Sequence, residues 1–307
     1  MLLKRRTYRL KQFFRDDIWA LDMEELSKAK ARFIKYMKVM LITIKTFSSE
    51  KIGFQAVALS FFSTMSVVPF VAVVFAVTGG LGLADKLTEF LYGYFNNSQQ
   101  IIDTILGFAH NIIDTAQSSA MGLVSALLFV WIVVWMMMNV EKVFNNVWRV
   151  QKSRNLLRRV SVTIGMLLVS PFIVFVFFAG SVVYSHAFGY LGLNVETFSV
   201  FKTIVGWWLF ASVAVVTFSA MYKLIPNADV DYANALRAAL FSGIAFTIMQ
   251  YVYLETQVLV TRLNGIYGAF AAVPLFMIWI NVGWFIILIG AELSYAFQHV
   301  DNYNIED

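Results

Sequence analysis

The 307-residue chain contains no cysteine. That absence excludes disulfides, thiol catalysis and cysteine-based zinc sites together. Histidine is almost as scarce. His110, His186 and His299 lie far apart, no H-E-x-x-H spacing occurs, and neither a metal centre nor a cofactor is expected. Charge is scarce too. Only 14% of residues are Asp, Glu, Lys or Arg, where a soluble domain carries about 25%. The shortage is concentrated, because long stretches hold no charge at all.

Those stretches are apolar. Six runs stand out, at residues 53–78, 121–140, 160–184, 203–222, 238–257 and 270–291. The only charge inside them is Glu255, and Glu292 follows the last run directly. Each run suffices for a hydrocarbon core of about 30 Å. Backbone amides in lipid must bond within their own segment, so these runs are expected as helices. A barrel would show alternating segments of about ten residues, and these runs are continuous. The expected fold is therefore all-α, a polytopic membrane protein with six transmembrane helices in residues 53–297.

Basic residues set the orientation. With both termini in the cytoplasm, twenty-one Lys and Arg fall on that side and only Lys86, Lys202 and Arg262 on the other. The same asymmetry accounts for the net charge of +5 without nucleic acid as a partner. Residues 298–307 form an acidic cytoplasmic tail.

Residues 1–52 form a basic cytoplasmic region. They are too charged at the start for a cleavable signal peptide. Phe33, Met37, Met40, Ile44 and Phe47 recur at helical spacing, with Lys35, Lys38 and Lys45 off that stripe. Two readings stand for this amphipathic helix. It lies on the inner leaflet, with Lys35 and Lys38 against anionic headgroups, or it packs on the rest of the protein. The outer loop, 79–120, carries two further stripes. One is Leu83, Leu87, Phe90, Leu91 and Tyr94, the other Ile101, Ile105, Phe108 and Ile112, and two short helices are expected.

Four short elements occur in order along the spans. Ala58-Leu59-Ser60-Phe61-Phe62 precedes Val67-Val68-Pro69-Phe70 in the first. Residues 139–148 read NVEKVFNNVW. Tyr222-Lys223-Leu224-Ile225-Pro226-Asn227 precedes the fifth span. Tyr267-Gly268, Pro274, Trp279 and Gly290-Ala291-Glu292-Leu293 mark the sixth. Over residues 50–297 this resembles the YihY/BrkB family of bacterial inner-membrane proteins. The resemblance implies an inner-membrane location and, for some members, a transport or lipid-related role. A ribonuclease activity once attached to the family is regarded as mistaken.

The residues agree on that last point. Phosphodiester hydrolysis needs clustered carboxylates or histidines, and the basic loop with Lys152, Arg154, Arg158 and Arg159 has none beside it. No catalytic residue is assigned. Glu292 is read either as a proton or cation coupling site or as a buried pair with Arg158, Arg159 or Lys142 at the cytoplasmic rim. Glu255, near Gln250, is a candidate at the outer end of the fifth span. Ser63, Ser66 and Asn281 are candidates for a cavity lined by a first helix that Pro69 kinks. Pro69 frees the carbonyl of Met65, and Ser66 is placed to satisfy it. Ala235, Ala239 and Gly243 form a small-residue series, for internal packing or a homo-oligomer contact. The functional expectation is a transporter or lipid translocase. The alternative is a non-transporting scaffold or envelope-assembly factor that binds lipids or protein partners.

Overall fold

The computed structural model describes residues 18–21, 26–49, 51–80, 82, 84–94, 103, 106–107, 110–111, 113–114, 120–150, 155, 161, 164–165, 199–262 and 272–303. Among these there is no strand. There are eight helices: α1 Ile18–Ala20, α2 Lys28–Ser49, α3 Ile52–Gly80, α4 Ala84–Tyr94, α5 Ala120–Val147, α6 Ser199–Leu224, α7 Tyr232–Arg262 and α8 Ala272–His299.

Three are long and apolar enough to cross a membrane, through Thr203–Leu224, Tyr232–Thr256 and Pro274–His299. A fourth joins them if the two halves of α3, Ile52–Val67 and Pro69–Ala76, count as one span bent by 50°. The second apolar run forms α5, which continues as helix to Val147. Most of the run at 160–184 lies outside the described residues, as do Arg158, Arg159 and Pro171.

The bend in α3 has a local cause. Pro69 has no N–H, and its ring crowds the carbonyl four residues back, that of Met65. The Ser66 hydroxyl does not reach that carbonyl, as the sequence had suggested. It donates to Phe62, one turn before itself, because a helical hydroxyl swings naturally to its own i−4 carbonyl.

The last helix is the axis of the bundle. α8 packs against α2, α3, α5, α6 and α7, while α7 lies between α6 and α8 and α3 joins α5. Leu59, Phe144, Phe218, Tyr222, Leu288 and Ala291 meet in one buried core. The opposite faces carry exposed Phe54, Trp208, Phe241, Ile244 and Ile278. An apolar belt of that extent is disfavoured in water and suits lipid.

Small residues set the closest approach. Ala235 and Ala239 are fully buried. A Cβ on Gly243 would lie 2.6 Å from Val215 Cγ2 and 3.2 Å from the Val215 backbone nitrogen. The series therefore packs inside the chain, between α7 and α6. Asp231 caps α7: its carboxylate accepts from the Ala233 N–H at 3.3 Å and its carbonyl from the Asn234 and Ala235 amides.

Only part of the apolar stripe of α2 turns to the protein, with Phe47 packed 5.8 Å from the Phe285 ring. Val39, Ile42, Thr43 and Thr46 are buried there, with Lys38, while Phe33, Met40 and Ile44 are exposed. Lysine stems are apolar enough to pack while their ammonium groups find partners. Between residues 79 and 120, α4 is the first of the two expected helices. Its Leu87 is buried with Leu106, Val74 and Phe75. Ile101, Ile105, Phe108 and Ile112 lie outside the described residues.

Candidate functional site

Polar side chains meet inside the bundle at two levels. The first is a junction at the ends of α5, α6 and α8 and the start of α7. Tyr222 is fully buried there. Its hydroxyl donates to Ser242 Oγ at 2.8 Å, and Ser242 donates to the Ala238 carbonyl at 3.1 Å. Both hydroxyls sit on the bare backbone of Gly290. A Cβ at that position would lie 2.0 Å from the Tyr222 oxygen and 2.7 Å from Ser242 Oγ. The Phe144 ring is 6.3 Å from that of Tyr222. One residue on, Asn145 Oδ1 accepts the Asn227 amide at 2.7 Å.

The end of α5 follows from the same residues. Arg149 has a φ of 52°. Val150 N–H bonds the Asn145 carbonyl and Arg149 N–H that of Asn146, which closes the helix as a Schellman motif. Glycine normally takes that left-handed position. Here the Arg149 guanidinium lies 5.4 Å above the Tyr295 ring, which favours keeping the side chain. Trp148 packs edge-on against Tyr295, with centroids 5.6 Å apart.

Glu292 lies within one helical turn of this junction on α8. It is 0% exposed, two residues beyond Gly290. Glu141 is buried as well, three residues before Phe144, whereas Lys142 beside it is exposed. Of the expected partners of Glu292, Lys142 thus sits on the outer side of α5, and the two arginines lie outside the described residues.

The second level is a seam between α3 and α8. Asn281 Nδ2 donates to Ser60 Oγ at 3.3 Å, and Trp284 Nε1 donates to Ser63 Oγ at 2.8 Å. Ser63 and Asn281 are half-buried, and Pro69 is buried further along α3. Gln250 on α7 accepts from Trp279 Nε1 at 2.8 Å, which fastens α7 to α8. Glu255 is exposed on α7 and takes no part in the seam.

Two lysines of α2 have partners within the chain. Lys35 Nζ pairs with Asp301 at 2.7 Å, and Lys38 Nζ lies 5.7 Å from the centre of the Trp19 ring. Among the described residues, no three His, Asp or Glu side chains converge so as to hold a metal ion.

Sequence reasoning placed Asn281, Ser60 and Ser63 on the sixth and first helices, and the structure joins those helices at these residues. It overlooked Tyr222, Ser242 and Asn145. A signal was present: three of the four ordered elements contribute Asn145, Tyr222 and Gly290, and all three end at the junction. Trp284, the donor to Ser63, was likewise overlooked.

Apolar helices of spanning length, an outward apolar belt and polar groups bonded within the bundle define an α-helical membrane protein. The chain matches the Virulence factor BrkB family over residues 43–307 and belongs to it. Among its relatives, a UPF0761 membrane protein of Janthinobacterium sp. (strain Marseille) is 26% identical over 81% of this chain and 57% of its own length. Another, from Methylibium petroleiphilum, is 27% identical over 83% of this chain and 62% of its own. A third, from Aromatoleum aromaticum, is 29% identical over 77% and 58%. The chain thus spans less than two thirds of the length of these relatives. No solved structure matches it.

Proposed function

We propose that the protein is a six-span transporter or lipid translocase of the bacterial inner membrane, with both termini in the cytoplasm. The observation that carries this reading is the α3–α8 seam. Hydroxyls, an amide and an indole N–H meet between apolar helices beside a proline bend, with Ser63 and Asn281 half-buried and Ser60 and Trp284 buried. Irregular or polar surface within a membrane is tolerated where it lines a cavity or is buried in protein. A half-buried polar strip with neutral donors and acceptors suits a headgroup or small polar solute better than a dry helix contact.

Cysteine substitution tests this directly, since the native chain has none. Cysteines at positions 63, 66 and 281 are expected to react with a polar thiol reagent from at least one side of the membrane. Inaccessibility of all three from both sides sinks the proposal. Reconstituted protein should also move fluorescent phospholipid or a small anion between leaflets or compartments.

The scaffold reading draws on the junction, where Tyr222, Phe144 and Glu292 are fully buried and the helices touch through glycine. Glu292→Gln separates the two. Unchanged abundance with lost flux marks a coupling carboxylate. Lost abundance marks a residue that holds the bundle together.

A further inference from the structure

The two readings of α2 divide the helix between them. One face packs on the protein, through Val39, Ile42 and Thr46. The other is apolar and exposed among the described residues: Phe33 is 65% exposed, Met40 64% and Ile44 63%. These residues recur at i, i+7 and i+11, a single stripe along the helix. Lys30 and Arg32, both exposed, flank it on the helix surface. Lys38 is buried beside the Trp19 ring, and Lys35 pairs with Asp301 at the surface.

The stripe is continuous with the belt of the spans. The ring of Tyr36, beside the stripe, lies 6.5 Å from that of Phe241. Phe241 is exposed on α7, in line with Ile244 and Ile248 of the same spanning segment. At Tyr36 the exposed face of α2 thus meets the exposed face of a spanning segment.

We infer that α2 is an in-plane lipid-binding helix. Phe33, Met40 and Ile44 enter the acyl region of the adjoining leaflet, and Lys30 and Arg32 hold anionic headgroups at its edge. The chemistry is that of an interfacial helix, with an apolar face about one residue wide per turn and cations at its margin. A protein partner or a second copy fits less well, since cations at the margin and an unbroken path to the lipid-facing belt favour lipid. This adds Lys30 and Arg32 to the Lys35 and Lys38 that sequence spacing offers for the headgroups.

Full-length single-cysteine variants test it without disturbing the packed face. Met40→Cys and Ile44→Cys, labelled with bimane, are reconstituted in vesicles of equal parts phosphatidylglycerol and brominated phosphatidylcholine. Lys28→Cys is the aqueous reference, and Val216→Cys, exposed on a spanning segment, is the lipid reference. Brominated chains should quench positions 40 and 44 at least about two-fold more than position 28, and aqueous iodide should quench them less. Replacing phosphatidylglycerol with neutral lipid, or introducing Lys30→Glu with Arg32→Glu, should shrink the lipid quenching. Strong iodide quenching at 40 and 44 overturns the inference. So does shielding from both quenchers, which means that another part of the chain covers the stripe, or cross-linking between copies through these cysteines. Quenching that ignores headgroup charge and both substitutions overturns the role of Lys30 and Arg32.

Discussion

The junction and the seam are built from similar groups and packed differently. Both place hydroxyls against helix α8. At the junction, Tyr222 and Ser242 are buried over a glycine that leaves no room for a methyl group. At the seam, Ser63 and Asn281 are half-buried and bonded by only one contact each across the interface. Close packing makes a site intolerant of added volume, since interiors already match the density of organic crystals. Looser polar contacts cost little to break, because the unbonded groups find other partners. The difference assigns stability to one end of the bundle and adaptability to its middle.

The sharpest way to break the comparison is volume. Gly290→Val should prevent accumulation of folded protein, because its Cβ alone would fall 2.0 Å from the Tyr222 oxygen. Gly290→Ala should destabilise by about 1–3 kcal/mol as Tyr222 and Ser242 are forced aside. Gly206 on α6 is the matched control, with nothing within 4 Å of its Cβ position. Gly206→Ala should be neutral or stabilise by up to about 1 kcal/mol through helix propensity. Thermal unfolding in detergent measures all three. Equal effects at 290 and 206 would falsify the claim that the junction is the tight end.

Tyr222→Phe is a milder cut at the same place. It removes the hydroxyl and the bond to Ser242, while Ser242 keeps its bond to the Ala238 carbonyl. Interhelical bonds in membranes average about 0.6 kcal/mol, so a loss of about 0.5–1.5 kcal/mol is expected in the same unfolding measurement. Combined with Gly290→Ala, it should cost less than the two losses added together, since the clash is with the atom removed.

How much of this was legible follows the same divide. The spans of α6, α7 and α8 were read from length and apolarity, which act locally and need no partner. The seam was partly legible because hydroxyls and an amide in an apolar run are conspicuous. The junction was not. Tyr222 and Gly290 are ordinary residues in apolar helices, and their importance comes from an approach across sixty-eight positions of sequence that no periodicity encodes. Within α2, spacing showed which residues share a face, but not that Lys35 pairs with Asp301 or that Lys38 lies beside the Trp19 ring.

At the seam, stability and access should part. Ser63→Ala and Asn281→Ala should each shift unfolding by less than about 1 kcal/mol. Each should still change the rate at which a cysteine at the neighbouring position, 281 or 63, reacts with a polar thiol reagent, because the contact across the seam is gone. A change in stability as large as that of Gly290→Ala, with reactivity unmoved, would make the seam a second rigid joint and erase the contrast.

The smallest effect lies outside the bundle and calibrates the rest. Tyr92 on α4 donates a hydrogen bond to Asp103. That bond, and the negative charge it faces, raise the phenol above its ordinary value of 10.0. A folded-state value above the unfolded one stabilises the fold fully at pH below about 10. The contribution fades as pH climbs through the raised folded value and the phenol ionises beside a carboxylate. The group is exposed, so solvent screens the interaction and the loss should be slight. Unfolding followed from pH 8 to pH 11 should show wild type falling slightly more than Tyr92→Phe, and both should fall far less than Gly290→Ala lies below wild type at neutral pH. If the Tyr92 variant instead tracks wild type throughout, the tie to Asp103 adds nothing to stability, and α4 is held by the apolar cluster of Val74, Phe75, Leu87 and Leu106.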